Sequence, residues 1–322
     1  MKYKIIHTTT YKYESSVSVS HNRVILTPRD GSWVRNLWHR LTVHPAPQWS
    51  VKRHDQFGNL VHVFGIEEGH SQLTVTAASQ VEVGGQVLPS TAESPAWESL
   101  VALPTDCLAD SRTDANSFAG SLAGSNAGSG SETRTLEDAA LEVEVAGFRF
   151  RSPRIEPSEL FAKYGRASFR PRRPILEAAA ELNTQIYRDF KYDKNSTDAQ
   201  TPIETAFAQR RGVCQDFAQI QVAVLRSLGL SARYVSGYLR TLPPPGKERL
   251  VGADQSHAWV SLYCGRELGW VDLDATNNTF CGQDHIPIAW GRDYTDVIPF
   301  RGVFLGDGRH KLEVSVDVCP TE

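Results

Sequence analysis

Three residues of this chain, Cys214, His257 and Asp274, have the types and the order that thiol chemistry needs. Cysteine is a strong nucleophile near neutral pH only as its thiolate, which something nearby must favour. Cys214 stands in "GVCQDFA", directly ahead of an apolar-periodic run, so it falls where a helix begins. The positive end of that helix favours the anion. The free N–H groups of its first turn can receive the oxyanion that forms when sulfur attacks a carbonyl. Asp216 is a nearby negative charge that works against the dipole, so a partner base is required. His257, in "SHAWVSLY", supplies one. An imidazole works best when a third group fixes its tautomer and supports its charged form. Asp272 and Asp274, in "GWVDLDATNN", are the carboxylates at hand.

Strand alternation must position the last two members. His257, Trp259, Ser261 and Tyr263 share one face, and the chain turns through Gly265 to Gly269 before returning. If Ser261 or Tyr263 faces Trp270 across this hairpin, His257 lies opposite Asp274 or Thr276. Asp274 is then its direct or diagonal neighbour. Asp272 points to the same face but comes level only with a tighter loop, so it stands as a second carboxylate near the site. Singly, each residue has an ordinary explanation: a small buried hydrophobe, a strand histidine, a polar strand end. Together they run cysteine on a helix, histidine on a strand, aspartate on the next strand.

The surrounding elements follow from periodicity. Residues 174 to 190 predict a helix, with Ile175, Ala179, Leu182, Ile186 and Phe190 on one stripe. A second helix runs from Cys214 to Leu228, and Gly229 supplies its stop. Strands follow at Ala232 to Leu239, Ala258 to Tyr263, Trp270 to Asp274 and Leu312 to Val318. The first hundred residues hold only short β-rich runs, with "DQFGN" as a turn, and read as an antiparallel sandwich or small barrel. Between the halves, Asp110 to Thr135 collapses to Ser, Gly, Ala, Asn and Thr, which cannot bury enough apolar surface to offset the entropy of ordering it. The expected division is a β domain over 1–105, a linker or insertion with a returning strand over 106–150, and a core with C-terminal strands over 151–322. The fold class is α+β, an all-β sandwich-like domain followed by a cysteine-bearing helix on an antiparallel sheet.

Composition bounds the rest. With 322 residues and 40% hydrophobic content the chain can build real cores, and a net charge of −3 gives no bulk attraction to nucleic acid or anionic membrane. Its five cysteines are odd in number, scattered and without a C-x-x-C pair, which fits a reducing compartment better than a disulfide framework. No apolar leader or membrane-length run stands in the sequence, so a cytoplasmic setting is expected. His285 and His310 have no ligand-spaced partners and no acidic loop of EF-hand type occurs, so neither a metal nor another cofactor is expected.

Four motifs in order, "GVCQDFA", "ARYVSGYL", "SHAWVSLY" and "GWVDLDATNN", resemble the bacterial branch of the transglutaminase-like superfamily, a papain-like cysteine fold. The segments "HTTTYKYESSVSVSHNRVILTPR" and "HDQFGN" resemble the β domain that accompanies this branch, and "HIPIAWGRDYTDVIPFRGVF" looks like its ending. The resemblance implies Cys214 as nucleophile, His257 as base and Asp274 as orienting carboxylate. Ala275 departs from the proline usual after that aspartate, and Asp272 stands where a small residue is common. Animal members place a tryptophan after their cysteine, where this chain has Gln215. They also use an upstream tryptophan to hold the oxyanion, and Tyr192 in "DFKYD" is its nearest counterpart. The implied function is acyl transfer from an amide of a peptide or protein through a thioester, ending in hydrolysis or in transfer to a primary amine. The proline-rich loop at 241–254 is the expected cover. A non-catalytic peptide-binding scaffold that retains the fold is the alternative.

Overall fold

The computed structural model describes residues 1–101, 136–241 and 255–321. The Ser/Gly/Ala insertion at 110–135 and nearly all of the loop expected to cover the site lie outside them.

Strand β1 (Lys2–Val17) alternates through its first half, with Tyr3, Ile5 and His7 buried and the residues between them turned out. It ends at Ser18, where the chain passes to β2 (Val19–Val24) in a different sheet. Next come β3 (Val34–His44), β4 (Trp49–His54), β5 (Leu60–Ile66) and β6 (His70–Val83). The chain's last strands, β14 (Phe300–Leu305) and β15 (His310–Thr321), return to join them. The result is two four-stranded antiparallel sheets, ordered β15-β1-β6-β3 and β14-β2-β5-β4. Between them lie Val24, Leu26, Phe64, Ile66, Leu73, Val75 and Ala77. Each sheet thus takes one edge strand from the C-terminal tail. That corrects the division expected from the sequence: the final strands complete the amino-terminal domain and do not extend the core.

A second correction falls at Leu136–Gly147, where a strand was expected to return and a helix forms instead, α2. Its "LEVEV" alternation buries only Val145, so nothing rewards a pleated face. Arg266 reaches both Asp138 at 2.6 Å and Glu142 at 3.3 Å, a pair of carboxylates that only helical spacing stacks. The short α1 (Glu98–Val101) precedes it.

The core packs α3 (Glu159–Gly165), α4 (Ile175–Asp189), α5 (Ile203–Gln209) and α6 (Cys214–Ser227) against one sheet. That sheet contains β9 (Ala232–Leu239), β10 (Gln255–Tyr263), β11 (Trp270–Asp274), β12 (Thr279–Phe280) and β13 (His285–Gly291), in the order β12-β11-β10-β9-β13. Helix α6 is buried on nearly every side because helices cover one face and the sheet the other. Gly165 permits this, since a Cβ there would lie 2.6 Å from a Val224 methyl. Gly229, at φ +83°, ends α6 as expected, with the Leu230 N–H closing back on the Leu225 carbonyl at 3.0 Å.

The "DQFGN" turn joins domain to core. Asn59 is fully buried, donates from Nδ2 to the Trp290 carbonyl at 2.8 Å and accepts the Trp290 N–H at 3.0 Å, as an added strand residue would. The Arg29 guanidinium lies 3.4 Å from the Trp290 ring centroid, and Arg233 lies 3.8 Å from it and 4.2 Å from that of Trp270. No helix among the described residues is long and apolar enough to cross a membrane.

Candidate active site

The segment ahead of Cys214 is tied down before the helix begins. A two-residue parallel bridge pairs Lys191 and Tyr192 (β7) with Arg211 and Gly212 (β8), and the Asp193 N–H adds a bond to the Gly212 carbonyl at 2.9 Å. Val213 then takes the extended conformation that precedes a helix, and its carbonyl accepts from Asp216 and Phe217. Asp216 turns back on this corner: its Oδ2 accepts the Val213 N–H at 2.8 Å and the Thr197 hydroxyl at 2.6 Å. Burial pushes the Asp216 carboxyl up against the opposing pull of these two bonds. The residue expected to disfavour the thiolate is therefore also a clasp between the cysteine corner and the 192–197 loop. Gly212 makes room for it, since a Cβ there would lie 2.6 Å from that same Oδ2. The Cys214 and Gln215 N–H groups belong to the first turn and have no intrahelical acceptor. Cys214 itself is partly exposed.

Across the cleft, Tyr263 faces Trp270 and Ser261 faces Asp272. Of the two registers open from the sequence, this one makes Asp274 the diagonal neighbour of His257. The structure brings Cys214, His257 and Asp274 together. His257 Nε2 is 2.7 Å from Asp274 Oδ2, and Cys214 lies close enough to the ring to act on its charge. His257 is 8% exposed and Asp274 not at all, so bulk water does little to screen the pair. Burial opposes a charged ring here, but the hydrogen bond to Asp274 and the nearby Cys214 and Asp274 charges carry the His257 pKa up to about 10. Burial likewise opposes the Asp274 charge, and the bonds from His257, His285 and Asn277 overcome it and hold the carboxyl well below the usual range.

Two of those donors escaped sequence reasoning. Asn277 gives Nδ2 to Asp274 Oδ2 at 2.6 Å, while the Thr276 and Asn277 N–H groups reach Oδ1 at 2.9 and 3.3 Å. The tight turn is thus built around the carboxylate itself, and Ala275 serves in the proline's place. His285 Nε2 lies 3.1 Å from Asp274 Oδ2, although β9 and β10 separate their strands. In a flat sheet three strand spacings would hold the two about 14 Å apart, so the sheet must curl to bring them together. His285 was set aside because no partner lies at ligand spacing in sequence, and the curl is what supplies one.

Asp272 goes elsewhere. Its Oδ2 accepts the Trp259 indole N–H at 2.9 Å. Burial raises its carboxyl, while the charge of Arg233 opposes that rise. Tyr192 stands beside the cysteine corner, half-exposed, its ring edge-on to Phe217 at 6.4 Å. Burial raises its hydroxyl pKa, and the Cys214 charge adds to the rise. Among the described residues, the group that could gather round a metal ion is His257, Asp274 and His285, whose ligand atoms lie within 4.8 Å of one another. Hydrogen bonds to one shared oxygen account for that convergence.

A thiol at a helix start, its helix laid on an antiparallel sheet that carries the imidazole and the carboxylate, defines the papain-like class of fold. Residues 163–275 match the transglutaminase-like superfamily, and residues 3–82 match the bacterial transglutaminase-like N-terminal region. An uncharacterized protein of Mycobacterium tuberculosis is 35% identical over 328 residues, covering 100% of this chain and 93% of its own. The chain belongs to the transglutaminase-like superfamily, in the bacterial branch that carries this N-terminal region. A protein-glutamine gamma-glutamyltransferase of Pseudomonas aeruginosa is 38% identical over 106 residues, 32% of this chain and 16% of that one. A crystal structure from Cytophaga hutchinsonii, named for a candidate cysteine protease, shares the fold with a TM-score of 0.67 at 20% identity, over 100% of this chain and 92% of that one.

Proposed function

We propose that the protein is a cysteine-dependent acyl-transfer enzyme acting on an amide of a peptide or protein. The observation that carries the proposal is the buried His257–Asp274 pair, Nε2 to Oδ2 at 2.7 Å, with Cys214 at the start of α6 near enough to act on the ring's charge. With the ring holding a proton and the sulfur giving one up, the thiolate attacks the carboxamide carbon. The Cys214 N–H and the Tyr192 hydroxyl receive the oxyanion. As the C–N bond breaks, His257 gives its proton to the departing amine, and the acyl group stays on sulfur as a thioester. Water or a primary amine then attacks that carbon and gives a proton to His257. The C–S bond breaks and the thiolate returns. Asp274 keeps the ring in register throughout and is not itself protonated.

Membership of the family and the partial match to a glutamine gamma-glutamyltransferase support thioester chemistry; neither decides between water and amine as acceptor. The test incubates the whole chain with a glutamine-containing peptide library, with and without a primary amine, and reads products by mass. Cleaved or deamidated peptides indicate hydrolysis, and amine adducts indicate transamidation. Neither product from the parent, under conditions where Cys214 alkylates readily, contradicts the proposal.

A further inference from the structure

His285 makes contacts that the Cys214–His257–Asp274 line does not require. Its Nδ1 accepts the Gly282 N–H at 3.2 Å, so its own proton sits on Nε2 and is donated to Asp274 Oδ2 at 3.1 Å. That oxygen already receives His257 at 2.7 Å and the Asn277 amide at 2.6 Å. The His285 ring is 5% exposed and lies edge-on to Trp259, with centroids 5.3 Å apart at 84°. Trp259 is held in turn by Asp272 through its indole N–H. A buried histidine whose two nitrogens are both assigned, with its N–H aimed at an oxygen shared with the base, does more than fill space.

We infer that His285 is a positioning residue of this site, dividing Asp274 Oδ2 with His257 and so setting how tightly the carboxylate holds the imidazole. The inference takes its purpose from the acyl-transfer reading, since a ring gripped too firmly by its carboxylate is slow to give its proton to the leaving amine. The positive end of the His285 N–H faces the oxygen that His257 uses. Without it, the carboxylate charge falls more fully on His257 and the ring keeps its proton to higher pH. Among the described residues, the titratable groups around the two rings are Cys214 from α6, Asp272 and Asp274 from β11, and the buried Cys281 between β12 and β13. Asp272 and Asp274 both raise the Cys281 thiol, after burial. None of them replaces the lost donor.

The experiment titrates the His257 ring nitrogens by NMR in the parent, in His285→Gln, whose amide can still donate to Oδ2, and in His285→Phe, which keeps ring bulk but cannot donate. We expect His285→Phe to raise the His257 value by about half a pH unit or more, and His285→Gln to leave it near the parent's. An unchanged or lowered value in His285→Phe, or an equal rise in His285→Gln, overturns the inference. Should His285→Phe not fold, the parent's own spectrum decides. Its His285 must carry the proton on Nε2 at neutral pH, and a proton on Nδ1 overturns the assignment. Iodoacetamide alkylation of Cys214 in the same samples keeps the two readings apart. A parent whose Cys214 reacts no faster than an ordinary thiol contradicts the acyl-transfer reading, whatever the ring nitrogens show.

Discussion

At the scale of the residue, the two aspartates of "WVDLD" lie two positions apart and do different work. Asp274 takes five donors, from His257, His285, the Asn277 amide and two backbone N–H groups. Asp272 takes the Trp259 indole and lies in the field of Arg233. Asp274→Asn should therefore lower the acyl-transfer rate by orders of magnitude. Asp272→Asn should cost roughly 1–3 kcal/mol of stability, read by urea unfolding, while changing the rate much less. The reverse pattern would make Asp272 the third member. The pH dependence follows with its sign. The His257 value is raised from 6.5 to about 10, so its contribution to stability is whole below pH 6.5 and is lost as pH rises through about 10. The Asp274 value is depressed from 3.8, so its contribution is whole above that pH and is lost as pH falls below it. The stability gap between the parent and Asp274→Asn should be widest between these limits, at roughly 3 kcal/mol, and shrink toward pH 10. A gap that does not vary with pH would mean that the pair is not charged in the folded chain.

At the scale of the element, the cysteine corner depends on a bridge of only two residue pairs. Tyr192→Phe removes the proposed oxyanion donor while keeping the ring on Phe217. It should lower kcat by about 10²-fold with KM nearly unchanged, the split expected of a group that acts on the transition state. A rise in KM alone would make Tyr192 a binding residue. The helices here were legible because each carries its own signal: the stripe over residues 174 to 190 became α4, and Gly229 closed α6 at φ +83°. The hairpin was legible too, because Tyr263 and Trp270 leave a short loop between two alternating runs. Strand β13 was not. "HIPIAWG" has no alternation and carries Pro287 beside a register shift, and its partner β9 lies far earlier in the chain. A proline in an apolar run argues against a strand unless the strand is an edge, which β13 is. With β13 unread, His285 could not be seen as a neighbour of Asp274.

At the scale of the whole molecule, the sequence order misleads about where the chain ends up. Alternation in β15 marks a strand but does not say which sheet it joins, and its pairing with β1 links Lys2 to Thr321. Both termini of the described chain thus lie in the domain that clamps the core. The clamp is Asn59, whose side chain completes the Trp290 backbone and also receives Arg29 at 2.6 Å. Asn59→Ala leaves a buried carbonyl and N–H unpaired and should cost roughly 2–3 kcal/mol by urea unfolding. A cost within experimental error would show that the two parts hold together without it. Cys214 should carry the acyl group, and intact-protein mass spectrometry of the whole chain reads that directly. Mixed with a glutamine-containing peptide and quenched in acid, the parent should gain the mass of the acyl fragment on Cys214 and lose it on treatment with hydroxylamine. Cys214→Ala should gain nothing. An adduct that forms on another residue, or that persists in Cys214→Ala, would show that Cys214 is not the nucleophile.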